Sequence, residues 1–395
     1  MDKRIVFRGD LMHMASAIDE AIAELTLPAM PYELRDAVER AQLDDGEPMY
    51  IDLTDYTEFP FLEPYLEEAN DLYALNALAE KLAALEPWQV DALEGLILME
   101  AEKQEPFGLP RIYDLAASAE ACQVLYDVRG DEELGRFYVD NGFVTDTEDL
   151  PEAVYELLDY RKIGETMRTG EGGVFLRCSS GYVTQVGDLK EEFEELELTP
   201  WEPDYSVLLE IAVPDTDREL LISLPSRKEE LSSLPGRLDV NGWSNLTWRC
   251  TDCRVPDLRD AFSTADNIPF INLAARQLAE LPDEDVLKLK GLVKALKIGS
   301  LEDASSLMDH LSEYGMQTFH SPKDLAEYIL EESMGKDELS LLLPHLDCKS
   351  YAEAVMRQSG AEQTPYGVIY RTDGQAILRE ELKQRQQECG GMEMI

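Results

Sequence analysis

Apolar positions in this chain switch between a period of two and a period near 3.6, and the order of the switches predicts its elements. Short β-like runs come first, at Ile5 to Phe7 and again at Val207 to Val213. Each precedes a Leu-Pro pair, after which segments such as PYELRDAVERAQL space apolar residues three and four apart, the period of a helix buried on one side. MYIDLTDY (49–56) and LTWRCTDC (246–253) then read as strands. Two helices follow as a hairpin across ALEPWQ and ELPDED, where an acidic residue and a proline mark the start of the second. A compact helix-rich stretch leads to DTEDLPEAVYELLDY (146–160), whose Leu150, Val154, Leu157 and Leu158 predict an amphipathic helix. GGVFLRCSSGYVTQV (172–186) ends the series as a β-hairpin, with β-branched and aromatic residues around a Ser-Gly turn.

The same order returns at a nearly constant offset, which points to an internal repeat. LTLPAMPYELRDAVERAQL (25–43) aligns with ISLPSRKEELSSLPGRLDV (222–240), placing Leu27-Pro28 over Leu224-Pro225. Thr54-Asp55 falls over Thr251-Asp252. In the helical hairpin Asn76, Leu82, Leu85, Val90, Leu93 and Gly95 match Asn272, Leu278, Leu281, Val286, Leu289 and Gly291. DEELGRFYVDNG then matches PKDLAEYILEES, LLDYRKIGETM matches HLDCKSYAEAV, and GYV matches GVI. Short strands and helices without a β-α-β cadence predict an α+β fold, an elongated row of small mixed α/β subdomains. The expected division is repeat 1 over 1–187, an acidic linker over 188–204 broken by Pro200 and Pro203, a divergent repeat 2 over 205–376, and a helix and tail over 377–395.

Charge changes this picture more than hydrophobicity does. At 395 residues, 44% apolar content suffices for packed cores in two or three domains. Yet 81 acidic side chains stand against 35 basic ones, a net charge of −46, where a magnitude of about 2–8 keeps a small domain soluble. Residues 1–200 hold 46 acidic and 15 basic groups, so the excess concentrates in the first half. Self-repulsion on this scale costs stability and asks for a function. Direct nucleic-acid binding is disfavoured by repulsion from phosphates. No D-x-[DN]-x-[DN]-G loop supplies calcium ligands, and the uneven spread counts against adaptation to high salt. No apolar run approaches the ~20 residues of a membrane span. The N-terminus lacks the unbroken apolar core of a signal peptide, and six scattered cysteines fit a reducing cytoplasm.

Motifs with chemistry are sparse. Cys250 and Cys253 have the C-x₂-C spacing of a zinc half-site, but no second pair completes it, and the repeat aligns CTDC with a strand. His13, His310, His320 and His345 form no metal-binding pattern. RTGEGG (168–173) lacks the Lys-Ser/Thr of a phosphate loop and reads as a hairpin turn. With no nucleophile elbow and no singled-out carboxylate pair, the expectation is a non-enzyme without cofactor or metal.

LPAMPYELRDAVERAQL, DLTDY, LYALNALAEKLAALEPWQVDALEGLI, DEELGRFYVDNG and LPEAVYELLDYRKIGETM followed by GGVFLRCSSGYV resemble ArdA-type antirestriction proteins. The similarity spans nearly all of residues 1–186 and, more weakly through the repeat, 205–371. It implies a line of small mixed α/β subdomains, usually dimeric, whose carboxylates imitate the phosphates of bent DNA. Such proteins occupy the DNA groove of type I restriction-modification enzymes and so protect an entering mobile element. This chain departs by carrying two copies, so one chain is expected to build the pseudo-dimer, with a homodimer as the alternative. The second copy is less acidic and has Cys348 where the first has Tyr160.

The dense acidic clusters are the candidate mimic surface: Glu63, Glu67, Glu68 and Asp71; Asp131, Glu132 and Glu133; Asp146, Glu148, Asp149, Glu152, Glu156 and Asp159; and Glu191, Glu192, Glu194, Glu195 and Glu197. Glu148, Glu152 and Glu156 repel one another at i,i+4, at a cost of about 0.2–0.5 kcal/mol per pair, so a face built this way is not chosen for helix stability. Two other functions fit the charge: inhibition of another DNA-targeting defence system, such as a CRISPR effector, and service as an acidic chaperone or adaptor for basic DNA-binding proteins.

Overall fold

The computed structural model describes residues 4–13, 22–43, 49–144, 155, 157–198, 203–319, 322–331 and 334–377. The chain is mixed α/β, about 51% helical and 18% strand, with fifteen helices and four three-stranded sheets among the described residues. The first series is β1 (Phe7–His13), β2 (Ile22–Leu27), α1 (Pro31–Arg40), β3 (Met49–Asp55), α2 (Glu63–Leu66), α3 (Leu72–Ala83), α4 (Pro87–Glu102), α5 (Leu109–Ala117), β4 (Cys122–Tyr126), α6 (Asp131–Asp140), α7 (Tyr160–Glu171), β5 (Val174–Phe175) and β6 (Gly181–Gln185). The second is β7 (Val207–Ala212), β8 (Glu219–Leu224), α8 (Lys228–Arg237), β9 (Thr247–Cys253), α9 (Arg259–Thr264), α10 (Ile268–Glu280), α11 (Asp283–Leu296), α12 (Leu301–Met308), β10 (Tyr314–Gln317), α13 (Pro322–Glu331), α14 (Lys336–Leu342), α15 (Cys348–Ser359), β11 (Glu362–Thr364) and β12 (Gly367–Arg371). The sheet orders are β2-β1-β3, β4-β6-β5, β8-β7-β9 and β10-β12-β11.

Two compact units emerge. One comprises Met1–Gly9, Thr26–Pro28 and Ile51–Pro200, the other Asp10–Leu25, Ala29–Tyr50 and Trp201–Ile395. Helix α1 therefore clusters with elements that follow it by some two hundred residues, which no local pattern in the sequence announces.

In the first unit, α3 starts where the Asp71 carboxylate accepts from the Tyr73 and Ala74 amides, each at 3.0 Å. That satisfies two of the amides a helix start leaves unpaired. Helix α4 follows with Pro87 in its first turn and buries Ala92, Leu93, Leu96 and Ile97. Gly95 faces β6 so closely that a Cβ there would lie 2.5 Å from Val183. Helices α6 and α7 meet at two glycines. A Cβ on Gly135 would stand 1.8 Å from the Tyr160 carbonyl, and one on Gly164 1.8 Å from the Asp131 carbonyl. Arg168 to Glu171 continue α7, and Gly172 closes it at φ +68, so RTGEGG is a helix end rather than the expected hairpin turn. The turn lies later, between β5 and β6, which pair antiparallel with Val174 opposite Val183.

In the second unit, β7 is the middle strand, with Val207 opposite Leu224 on β8 and opposite Cys253 on β9. Leu208 faces Asp252 while Leu209 faces Cys250, so Thr251 is an extra residue, a bulge. That bulge turns Cys250 and Cys253 to one side, with both in the apolar core beside Leu209, Leu289 and Leu292. Asp252 is left on the other side, where Tyr32, Tyr205 and Leu208 pack. Strands β2 and β8 are additions to the pattern read from the sequence, and β1 runs to His13 rather than ending at Phe7. Strand β2 is buried at alternate positions only, which marks it as a strand with one covered face.

Candidate anionic surface

The first acidic cluster stands on α2 and the residues after it. Leu62 and Leu66 are fully buried and pin this short turn, which leaves Glu63, Glu67 and Glu68 exposed. Glu63 and Glu67 lie near Tyr56, whose ring meets Phe7 edge-on at 5.6 Å. Burial, then the fields of Glu63, Glu67 and Asp52, push the Tyr56 phenol up to about 12. Glu63, Glu67 and Asp52 thus act on one phenol.

Six of the expected mimic residues have local partners. Asp71 caps α3, and Asp159 caps α7 by accepting from the Lys162 amide at 3.1 Å. Asp131 holds Arg168 at 2.8 Å across the α6–α7 crossing. Glu132 pairs with Arg136 at 3.0 Å, and Glu133 accepts from the Arg129 amide at 2.5 Å. Glu192 lies 2.8 Å from Lys81, whose donated hydrogen bond holds the Glu192 carboxyl below its usual range. These carboxylates are part of the scaffold as well as of the surface.

The acidic stretch after Gly187 is anchored along the part described. Asp114 of α5 accepts from the Glu192 and Phe193 amides at 2.8 and 2.9 Å, and the Phe193 ring meets Tyr113 edge-on at 5.8 Å. Glu191, Glu194, Glu195 and Glu197 are exposed on this fixed segment, and no basic side chain pairs with them or with Glu63, Glu67 and Glu68 among the described residues. Asp146, Glu148, Asp149, Glu152 and Glu156, with most of the expected helix over 146–160, lie outside the described residues.

Several acids that no cluster singled out are structural. Glu94 on α4 is buried and accepts from the Arg177 and Cys178 amides at 2.7 and 2.8 Å, fixing the segment between β5 and β6. In the second unit, buried Lys290 lies 2.9 Å from Asp36 and also pairs with Glu39. Arg40 and the Tyr366 hydroxyl complete the shell of Asp36, each at 2.9 Å. Burial alone would raise the Asp36 carboxyl, but Lys290 and these partners hold it below its ordinary value. Asp252 is the opposite case. It accepts from Tyr205 Oη at 2.9 Å and the Tyr32 amide at 3.3 Å through Oδ2, while buried Oδ1 has no donor among the described residues. Burial pushes this carboxyl up to about 6, against the pull of those two hydrogen bonds. Neither site has a signal in the linear sequence, because each draws on residues of α1 and residues beyond 200.

Cys250 and Cys253 are buried strand residues, and among the described residues no three His, Cys, Asp or Glu side chains form a group able to hold a metal ion. No helix among those residues is long and apolar enough to cross a membrane. None of the family models, curated proteins or solved structures compared with the chain matches it.

Proposed function

We propose that this chain is a DNA-mimic inhibitor of the ArdA antirestriction type, which occupies the DNA groove of a type I restriction-modification enzyme and acts by occupancy, without catalysis or cofactor. The observation that carries the reading is the set of exposed carboxylates Glu63, Glu67, Glu68, Glu191, Glu194, Glu195 and Glu197. They lack basic partners among the described residues and stand on segments pinned by Leu62, Leu66 and Asp114. Fixed negative charge costs little reorganisation on docking into a Lys/Arg-lined channel and releases counterions there, the term that drives DNA binding itself. Carboxylates merely meant for solubility need no such anchoring.

A tandem duplication is part of this proposal, with two copies of a small α/β plan standing in one chain for the dimer that the resemblance implies. It is supported by matching sheet orders, with the strand that comes first in the chain in the middle of β2-β1-β3 and of β8-β7-β9. Matched details agree: Asp159 and Asp347 cap α7 and α15, Gly172 and Gly360 end them with positive φ, and Gly95 and Gly291 press on Val183 and Ile369.

The test is competition with duplex DNA for a type I methyltransferase complex over a range of salt. Inhibition should weaken as salt rises. Replacing the seven glutamates above by glutamine should weaken it further and flatten the salt slope, by up to about 0.9 per charge that meets a basic partner. Unchanged DNA binding in the presence of excess protein at low salt would reject the reading. Equal binding to any basic protein, without displacement of DNA, would favour an acidic chaperone instead.

A further inference from the structure

The first unit carries an open cleft of about 280 Å³ whose walls include Leu125, Phe137, Tyr138, Phe143, Val186 and Glu171. Two of these are unusual surface residues, since Phe143 is 60% exposed and Val186 66%. Phe137 and Phe143 lie nearly parallel with centroids 6.1 Å apart, and Tyr138 meets Phe143 edge-on at 5.8 Å. Beside this aromatic wall is one carboxylate held in place from behind. Tyr138 Oη donates to Glu171 at 2.6–2.7 Å, and Tyr182 Oη donates to it at 3.1 Å. Both phenols are buried, and burial together with the Glu171 charge pushes their pKa values up, so both remain donors. The nearby Arg168 is committed elsewhere, to Asp131 at 2.8 Å and over the Phe175 ring. Among the described residues no cation pairs with Glu171.

We infer that this cleft binds an arginine side chain presented by the partner protein. A fixed carboxylate next to aromatic faces asks for a flat cation. A guanidinium offers two parallel N–H groups to the carboxylate and stacks its plane on a ring, whereas an ammonium does only the first as a point charge. A neutral apolar ligand would strip water from Glu171 without compensating it. The identity of the partner rests on the function proposed above; the chemistry of the cleft does not.

The experiment uses the full chain, labelled at methyl and aromatic positions, titrated with N-acetyl-arginine amide and, separately, with the citrulline analogue, which has the same shape and no charge. Saturable shifts should centre on Leu125, Phe143 and Val186 for the arginine compound. Glu171→Gln, which can still accept from both tyrosines, should weaken that binding by about tenfold or more, the scale of one charge-assisted contact. Phe143→Ala should weaken it too while leaving the rest of the spectrum in place. Equal binding of the citrulline compound, shifts scattered over the acidic surface, or indifference to Glu171→Gln would overturn the inference. So would concentration-dependent self-association abolished by Phe143→Ala, which would make the cleft a contact between copies. DNA competition is read separately, so a failed inhibitor can still have this cleft and a true inhibitor can lack it.

Discussion

Replacing Asp252 by asparagine should change how the stability of the second unit depends on pH. The carboxyl is pushed up to about 6 by burial, from an ordinary value of 3.8. A shift of about 2 units corresponds to ~3 kcal/mol between its two protonation states. The folded unit binds this proton more tightly than the unfolded chain does. Asp252 therefore adds stability that is complete below about pH 3.8 and lost as pH rises through about 6. Between about pH 5 and pH 8 the loss from this group amounts to about 1.4 kcal/mol. Asparagine can keep both accepted hydrogen bonds, but it puts an amide N–H₂ where Oδ1 has no donor, at a cost of about 1–3 kcal/mol. The change at any single pH mixes that cost with the removed charge, whereas the pH dependence isolates the charge. Urea unfolding of both proteins, followed by tryptophan fluorescence at about pH 5 and pH 8, should show Asp252→Asn gaining about 1–1.5 kcal/mol on the wild type across the interval. A stability difference that is the same at both pH values would refute the argument, because it would mean that the folded carboxyl is already ionised across the whole interval.

The buried cation that meets α1 one and two turns further on has the opposite logic. Lys290→Met should remove the buried cation that Asp36 and Glu39 share, leaving only the more exposed Arg40 and Arg35 to face them, and destabilise the second unit by up to about 3–5 kcal/mol, lowering its urea midpoint at neutral pH. Protonating Asp36 at low pH should narrow the gap between the two proteins, since its depressed carboxyl contributes stability that is lost as pH falls; a gap independent of pH would argue against the ion pair. Gly135→Ala should force α6 and α7 apart and cost at least about 1–3 kcal/mol, because the added methyl would meet backbone rather than a movable side chain. An unchanged melting temperature would show that the glycine contact is looser than its geometry indicates.

Local elements were largely legible from residues alone. The helical hairpins of α3–α4 and α10–α11 show their period, their capping residues and their proline starts in the linear sequence, and all four helices form where that pattern places them. The acidic bias was legible too, but not the division of labour within it. Asp71 and Asp159 look like Glu63 and Glu67 in a list of charges, yet the first two complete helix starts while the others face water. A carboxylate becomes a cap, an ion-pair member or a free surface charge according to what lies within 3 Å, and periodicity carries no information about that.

What the sequence by itself determined is the run of short helices and strands and the excess of negative charge, since each depends on neighbours a few residues apart or on a plain count. Tertiary structure alone decided that α1 buries Asp36 against Lys290, that the bulge at Thr251 separates Asp252 from its flanking cysteines, and that Glu171 stands beside Phe143. Each of these joins residues far apart in the chain, and their energies come from burial and direction, which exist only once the chain has closed on itself.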